Sequence, residues 1–164
     1  MSPPPVLIGV DVLDVTRITR AMAYSGDRYA THVASPAEAD LHPDPALAVA
    51  ATVAVKECLV KAVGGRPAGF SWHDFAATGV GAPEWAGDLL ADAVPGVAAT
   101  ASVVMTESCA YVVRGASGRA ALRRLAGPAH APGLGVVGAA RWGWSGDLVV
   151  ALAILTTVQK GTQP

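Results

Sequence analysis

Apolar residues fill almost all of residues 46–65, which read ALAVAATVAVKECLVKAVGG. A helix that is apolar around most of its circumference is normally buried. Glu57 and Lys61 interrupt this run, and because they lie four positions apart they share one face of the predicted helix. Buried charge is costly unless it is paired or serves a ligand. The polar stripe is therefore a candidate for chemistry, the alternative being an exposed helical ion pair that contributes only ~0.2–0.5 kcal/mol.

The rest of the chain alternates between short apolar runs and turn residues, which predicts a mixed α/β or α+β domain with the long helix packed on an antiparallel sheet. Strands are predicted at residues 6–12, 70–77, 101–105, 109–114 and 148–158. Helices are predicted from Asp14 to Gly26, over 29–39 with a break at Ser35-Pro36, from Pro45 to Val63, and over 118–125. Residues 79–97 are predicted to be irregular apart from one helical turn at 85–91, and 127–138 to form a loop.

Helix ends and the last strand carry further signals. Ser35 and Glu38 have the spacing of a capping box, in which the carboxylate three residues on accepts from the first backbone N–H. Gly64-Gly65 follows the long helix in the position typical of a helix stop. The predicted strand at 148–158 has little polar face, so we expect it to be buried on both faces or to lie at an interface.

Composition narrows the class of protein. The chain has 164 residues and is expected to form a single domain, residues 1–164; it is 52% hydrophobic but only 5% aromatic. Its longest apolar run, residues 148–155, is far shorter than the ~20 residues that a membrane-spanning helix needs. The first eleven residues lack the basic and apolar regions of a secretory signal, so a cytoplasmic location is expected. The net charge of −1, without a long basic run, favours neither nucleic acid nor a membrane as partner.

Cysteines and histidines do not suggest a metal centre. Cys58 and Cys109 are too few and too far apart for a disulfide framework or a paired metal site. Cys58, inside the long apolar helix, is predicted to be a small core residue. The four histidines show no metal-ligand spacing: His32, His42, His73 and His130.

A second carboxylate, besides Glu57, suggests a metal site with oxygen ligands. Asp11 interrupts the first predicted strand just after a glycine. Together with Glu57 it offers two hard oxygen ligands, which suit Mg²⁺ held by one or two carboxylates, water and substrate phosphates. Lys61 then neutralises a phosphate, and Gly64 and Gly65 allow close backbone approach to a ligand. Taken singly, Asp11 also fits a strand-end cap or turn, and the glycines a helix stop.

The ordered combination of four blocks decides between these interpretations. LIGVDVLDVTRI at 7–18 nearly meets the pattern I-G-V-D-[IV]-x-[DE]-[IV]-x-R-[IV], and AVKECLVKAVGG at 54–65 nearly meets A-A-K-E-x-x-x-K-A-x-G. GDRYATHVASPAE at 26–38 and FSWHDF at 70–75 follow in register. This order resembles the holo-acyl-carrier-protein synthase family, the small phosphopantetheinyl transferases. The resemblance continues through 111–127 and 146–155 and so covers most of the chain.

The resemblance implies a function and a set of roles. Members of that family move 4′-phosphopantetheine from coenzyme A to a serine of an apo acyl carrier protein and release 3′,5′-ADP, in fatty-acid or polyketide pathways. By resemblance, Asp11 and Glu57 hold Mg²⁺, Lys61 contacts a phosphate, and Gly64 with Gly65 lies beside coenzyme A. Arg17 matches the family arginine that meets the acidic helix of the carrier protein. Family members form homotrimers with active sites between protomers.

The chain departs from the family pattern at three positions. Trp144 stands where the histidine of an S-x-S-H motif aligns, and Thr52 and His32 replace arginines common in the family. The chain is also longer than typical members, mainly in the regions 78–100 and 128–140. These departures leave open a second interpretation, in which the chain binds carrier proteins without transferring phosphopantetheine, or is a different enzyme that uses the fold on carrier-bound substrates.

Overall fold

A five-stranded antiparallel sheet forms the centre of the fold in a computed structural model, which describes residues 4–79, 81 and 83–161. The strand order is β1-β5-β4-β3-β2, and all neighbours are antiparallel. The strands are β1 (Leu7–Asp14), β2 (Phe75–Thr78), β3 (Glu107–Val113), β4 (Leu134–Ser145) and β5 (Leu148–Gln159). The fold class predicted from sequence, an α+β domain with a long buried helix on an antiparallel sheet, is confirmed.

Six α-helices and one 3₁₀ turn accompany the sheet within the described residues. They are α1 (Val15–Ser25), α2 (Asp27–Val33), α3 (Pro36–Ala39), α4 (Pro45–Val63), the 3₁₀ turn Trp72–Asp74, α5 (Glu84–Ala101) and α6 (Gly115–Ala126). None of the helices in the described part of the chain combines the length and hydrophobicity needed to cross a membrane.

The long apolar helix α4 begins and ends where the sequence predicts. The Asp44 side chain accepts hydrogen bonds from the backbone N–H groups of Ala46 and Leu47, and the chain reverses at Gly64 in the left-handed region, with φ of 94°. Residues 47–56 are all buried, because α4 packs on the face of the sheet formed by β1 and β5. Its charged groups therefore lie at the edge of the core or inside it.

Part of the second face of the sheet is covered by α5. Ala86 and Leu90 of this helix are buried against Val150, Leu152 and Ile154 of β5. The expectation that residues 79–97 are largely irregular is wrong, and the helix extends well beyond the single turn foreseen. Because α4 covers one face of β5 and α5 the other, the apolar character of β5 is explained within one chain.

Two strand predictions and one loop prediction also differ from the structure. Residues 101–105 are the end of α5 and an irregular segment, not a strand. Much of the predicted loop at 127–138, from residue 134 onward, belongs to the long strand β4, which the sequence analysis missed. The strand predicted at 70–77 is confined to Phe75–Thr78, since the 3₁₀ turn precedes it.

Candidate active site

Asp11 and Lys61 meet where the middle of β1 faces the last turns of α4. Lys61 Nζ lies 2.6 Å from Asp11 Oδ1 and donates a second hydrogen bond, of 3.0 Å, to the carbonyl oxygen of Val10. The Asp11 side chain is 12% exposed, whereas that of Lys61 is 54% exposed. The hydrogen bond to the Asp11 carboxylate raises the pKa of Lys61 above its ordinary value, so the ammonium stays charged.

Gly9 allows the helix to approach the strand this closely. A Cβ atom at Gly9 would collide with the carbonyl oxygen of Cys58 in α4. Cys58 is fully buried, as predicted, and its thiol donates to the carbonyl oxygen of Ala151, at 3.2 Å, in β5. Ala151 is the register partner of Asp11. The glycine two residues before the aspartate thus determines the distance between Asp11 and α4.

Glu57 is paired with a cation that the sequence analysis did not foresee. Arg66 Nη2 lies 2.8 Å from Glu57 Oε1, and the guanidinium packs over the rings of Phe70 and Trp72, at 5.3 and 4.8 Å from their centroids. The surface pair between Glu57 and Lys61, one of the two interpretations of the polar stripe, is not formed. Each residue has its own partner, although Glu57 is close enough to raise the pKa of Lys61 further.

Gly64 and Gly65 turn the chain so that Arg66 can reach back to Glu57. Both have positive φ, 94° and 113°, and their N–H groups donate to the carbonyl oxygens of Lys61 and Val60. They therefore act as a helix stop. A side chain at Gly64 would press on Arg124, while the space beside Gly65 is open within the described structure. Gly65 is thus the position of the two at which a ligand can approach the backbone, and the role of both in binding coenzyme A stays a prediction.

The donor set fits the predicted metal only in part. Among the described residues, no group of three or more histidine, cysteine, aspartate or glutamate side chains could hold a metal ion. Lys61 donates to one oxygen of Asp11, and Arg66 donates to one oxygen of Glu57. The two remaining oxygens suit Mg²⁺, which commonly takes one or two carboxylates and completes its shell with water and substrate phosphates.

A buried ion pair beside the site is the largest feature that sequence reasoning missed. Lys56 Nζ lies 2.9 Å from Glu38 Oε2 and 2.8 Å from the carbonyl oxygen of Val33, and both side chains are 0% exposed. Glu38 also accepts from the N–H of Ser35, at 2.7 Å, which confirms the predicted capping box. Burial lowers the pKa of Lys56. The signal was available, since Lys56 is a charged residue in the most apolar helix.

The pair fastens α3 to α4 next to the candidate site. Lys56 and Glu57 are consecutive, so their side chains leave the helix about 100° apart. One points into the core toward Glu38, and the other to the half-exposed edge where Arg66 lies. The rotation of α4 about its axis is therefore fixed by a buried contact one residue from Glu57.

The remaining predicted residues lie around this centre. Arg17 is exposed on α1, and both Arg17 and Glu57 act electrostatically on the half-buried Tyr29, so all three share one side of the molecule. Trp144 lies in an edge-to-face contact with His42, with ring centroids 5.0 Å apart.

Two of the departures from the family pattern have clear surroundings. Thr52 is buried and donates to the carbonyl oxygen of Ala48, at 2.9 Å, so it belongs to the core of α4. His32 is exposed and lines a shallow surface depression with Arg28 and Tyr29.

Solved structures support the fold. The coenzyme A complex of the Chronobacterium ammoniagenes enzyme named ACPS has a TM-score of 0.56 over 94% of this chain and 99% of that chain, at 18% identity. Holo-ACP-synthase of Plasmodium yoelii has a TM-score of 0.54 over 94% of this chain and 95% of its own, at 16% identity. At these identities the likeness shows the fold alone.

Curated relatives named holo-[acyl-carrier-protein] synthase are more similar in sequence. That of Koribacter versatilis is 39% identical over 71 residues, 41% of this chain and 57% of the relative. That of Clavibacter michiganensis is 46% identical over 67 residues, 41% of this chain and 52% of the relative. The chain thus spans little more than half the length of these two relatives.

A longer match decides the family. The holo-[acyl-carrier-protein] synthase of Anaeromyxobacter dehalogenans is 40% identical over 91 residues, which are 51% of this chain and 70% of the relative. No family model matches the chain. With this identity over more than two thirds of a curated relative, the chain belongs to the holo-acyl-carrier-protein synthase family.

Proposed function

We propose that this protein transfers the 4′-phosphopantetheine group of coenzyme A to a serine hydroxyl of an apo acyl carrier protein. The observation that carries the proposal is the contact of Asp11 with Lys61, one helical turn from Glu57 on α4, in a member of this family. The serine oxygen forms a bond to the phosphorus that bears pantetheine. The bond from that phosphorus to the bridging diphosphate oxygen breaks, and 3′,5′-ADP leaves with the bonding electron pair.

The chain's own residues perform positioning and charge neutralisation, which dominate phosphoryl-type transfers. Lys61, charged and half-exposed, binds a diphosphate oxygen. Glu57, or a water at the site, accepts the serine proton. Asp11 and Glu57 would hold Mg²⁺, which when bound supplies further neutralisation of the diphosphate charge. Arg66 and its aromatic platform keep the Glu57 carboxylate in place.

Mass spectrometry of carrier proteins tests this proposal. Incubation with coenzyme A, Mg²⁺ and a panel of apo carriers from fatty-acid and polyketide pathways is expected to add one phosphopantetheine to at least one carrier. Asp11→Asn and Glu57→Gln should each lower the rate ~10²-fold or more. Asp88→Asn, an exposed carboxylate on α5, is the matched control and should leave the rate unchanged. A folded preparation that modifies no carrier contradicts the proposal.

The alternative, a carrier-binding protein without transferase activity, is favoured by one observation. Trp144 occupies the position at which the family resemblance places a histidine, and an indole cannot act as an acid or base. This alternative predicts carrier binding that needs no coenzyme A and no mass gain on any carrier. It is excluded if Glu57→Gln abolishes a measured transfer.

The assembly and location stay predictions. Family resemblance predicts a homotrimer, and the lack of a recognisable secretory signal predicts a cytoplasmic location. The apolar character of β5, one motive for expecting an interface there, is satisfied by α5 within the chain. The exposed apolar side chains Ile8, Val10 and Val12 on the outer face of β1 are the part of the sheet left for contact between copies.

A further inference from the structure

A cavity of about 880 Å³ lies at the far end of the sheet from the candidate active site. Val112, Val137 and Val158, from β3, β4 and β5, form its apolar floor on the face of the sheet opposite α4, and Leu122 of α6 also lines the cavity. Val158 is seven residues along β5 from Ala151, the partner of Asp11, which at ~3.3 Å per residue places it about 23 Å away. The volume of the cavity lies within the range of small-molecule binding sites, ~300–1,000 Å³.

Glycines make up part of the lining of this cavity. Gly115, Gly118 and Gly135 all line it. A Cβ atom at Gly118 would lie 2.9 Å from the carbonyl oxygen of Val113, so the first turn of α6 packs directly on the end of β3. A Cβ at Gly135 would touch the aliphatic part of Lys160, at 3.4 Å, so Lys160 extends across this glycine.

The rim carries positive charge only. Arg114, Arg119 and Lys160 come from three places in the chain, the start of α6, its second turn and the residue after β5. No aspartate or glutamate lines the cavity. Within the described residues, these three side chains take part in no salt bridge or side-chain hydrogen bond. A cluster of three cations without a counter-charge is unusual in a chain whose net charge is −1.

We propose that this groove binds a small amphipathic anion, an unbranched apolar chain that ends in a phosphate or a carboxylate. The valine floor accepts the chain, and the arginines and Lys160 meet the anionic end. Arginine suits both head groups because its planar guanidinium donates two parallel hydrogen bonds to either. This cavity shares no lining residue with the proposed coenzyme A site, and the proposal does not depend on the proposed function.

Calorimetric titration of the whole protein with decyl phosphate and with decanoate, below their aggregation concentrations, tests the groove. At least one of the two anions is expected to bind. The ratio of their affinities shows whether the natural ligand carries a phosphate or a carboxylate. Octyl phosphate should bind about sixteenfold more weakly than decyl phosphate, since it has two fewer methylenes and each buried methylene changes affinity about fourfold. Decanol and inorganic phosphate, which each lack one half of the ligand, should bind at least tenfold more weakly.

Matched variants assign the site. Arg119→Gln should weaken decyl phosphate binding about tenfold. Arg123→Gln, one helical turn further along the exposed side of α6 and outside the cavity, should leave it unchanged. Asp11→Asn should also leave it unchanged, which separates this groove from the proposed coenzyme A site.

Four outcomes overturn the proposal. They are no binding of either anion, equal binding of decanol, equal loss in both arginine variants, and a change of sedimentation in Arg119→Gln without ligand binding. The last outcome would make the groove a contact between copies of the chain.

Discussion

At the scale of single residues, glycine positions control how closely α4 approaches the sheet. Gly9→Ala would drive a methyl group into the carbonyl of Cys58, and we expect a loss of ~1–3 kcal/mol in the free energy of unfolding. Gly87→Ala is the matched comparison, because Gly87 lies exposed inside α5 with nothing within 4 Å of its Cβ position. The Gly87→Ala substitution should raise the free energy of unfolding by ~0.5–1 kcal/mol. Urea unfolding measures both, and the same sign for both would contradict the expectation.

Both cysteines should be unreactive in the folded protein. Burial raises the pKa of Cys109 to about 12, and burial also raises that of Cys58 well above its ordinary value. At pH 8 only ~10⁻⁴ of a thiol with this pKa is ionised, so alkylation should be at least 100-fold slower than in urea-unfolded protein. Fast labelling of the native protein would contradict the burial of Cys58 and the partial burial of Cys109.

The same shift gives a pH dependence of stability. An acid whose pKa is raised on folding keeps its proton in the native state after the unfolded thiol has lost it. The contribution of the cysteines is therefore complete below the unfolded thiol pKa, near 9, and declines as the pH rises above that value. Replacing both by Ser or Ala should flatten the decline above pH 9, measured by urea unfolding at a series of pH values.

Arg17 is the residue at which the proposed carrier partner can be tested directly. It is exposed on the same side as Glu57. Arg17→Glu should raise the KM for the carrier about tenfold and leave the KM for coenzyme A unchanged, because a rim charge acts mainly on encounter with the acidic partner. Arg20, also exposed on α1, provides the comparison variant Arg20→Glu. An equal rise in the KM for the carrier in both variants would indicate a general effect of net charge and contradict a specific role of Arg17.

At the scale of elements, the buried Lys56–Glu38 pair joins α3 to α4. Lys56→Met should lower stability by ~3–5 kcal/mol, because it leaves an uncompensated carboxylate at 0% exposure. The double variant Lys56→Met with Glu38→Gln removes both charges and should recover part of this loss. A coupling energy of ~1–3 kcal/mol in the double-mutant cycle is expected. Additive effects would mean that the two side chains do not depend on each other.

The two elements that sequence reasoning missed, α5 and β4, share a physical cause. Gly87, Pro95 and Gly96 lower the intrinsic helix preference of α5, and burial of Ala86 and Leu90 against β5 overrides it. In β4, a Cβ atom at Gly138 would lie 3.0 Å from the Leu155 side chain and 3.3 Å from the carbonyl oxygen of Ile154, so a glycine that made this segment look like a loop is needed for packing. Elements with strong local signals, such as the caps of α4 and the boundary at Gly26, were predicted correctly.

The candidate site was predictable only to the level of residue types. Family resemblance assigned Asp11, Glu57 and Lys61 to one site. The structure brings Lys61 Nζ within 2.6 Å of Asp11 and leaves Glu57 near enough to raise the pKa of Lys61, while the roles of the three residues stay predictions. The pairing of Glu57 with Arg66 depends on two consecutive left-handed glycines and an aromatic platform. The periodicity of apolar residues predicts which face of a helix a residue occupies. It contains no information on a turn such as the one at Gly64 and Gly65.

At the scale of the whole molecule, the predicted homotrimer can be tested at the outer face of β1. Sedimentation velocity should give three times the mass of one chain. Val10→Lys places a charge on the exposed apolar stripe and should shift the protein to monomers with an unchanged circular dichroism spectrum. Val104→Lys, also an exposed valine, is the comparison. A monomer at micromolar concentration would contradict the predicted homotrimer. The proposed reaction would then have to take place within a single chain.

The pairing of β1 with β5 has a consequence for synthesis on the ribosome. Leu7 pairs with Leu155, and at about 5–20 residues per second the first strand waits roughly 7 to 30 s for its partner. Throughout that time the apolar stripe of β1 is available to chaperones, and Asp11 lacks the strand that holds it beside α4. Arrested nascent chains without β5 should therefore expose Cys58 to alkylation, and chains that include β5 should protect it. The candidate active site would then be among the last features that a newly made molecule acquires.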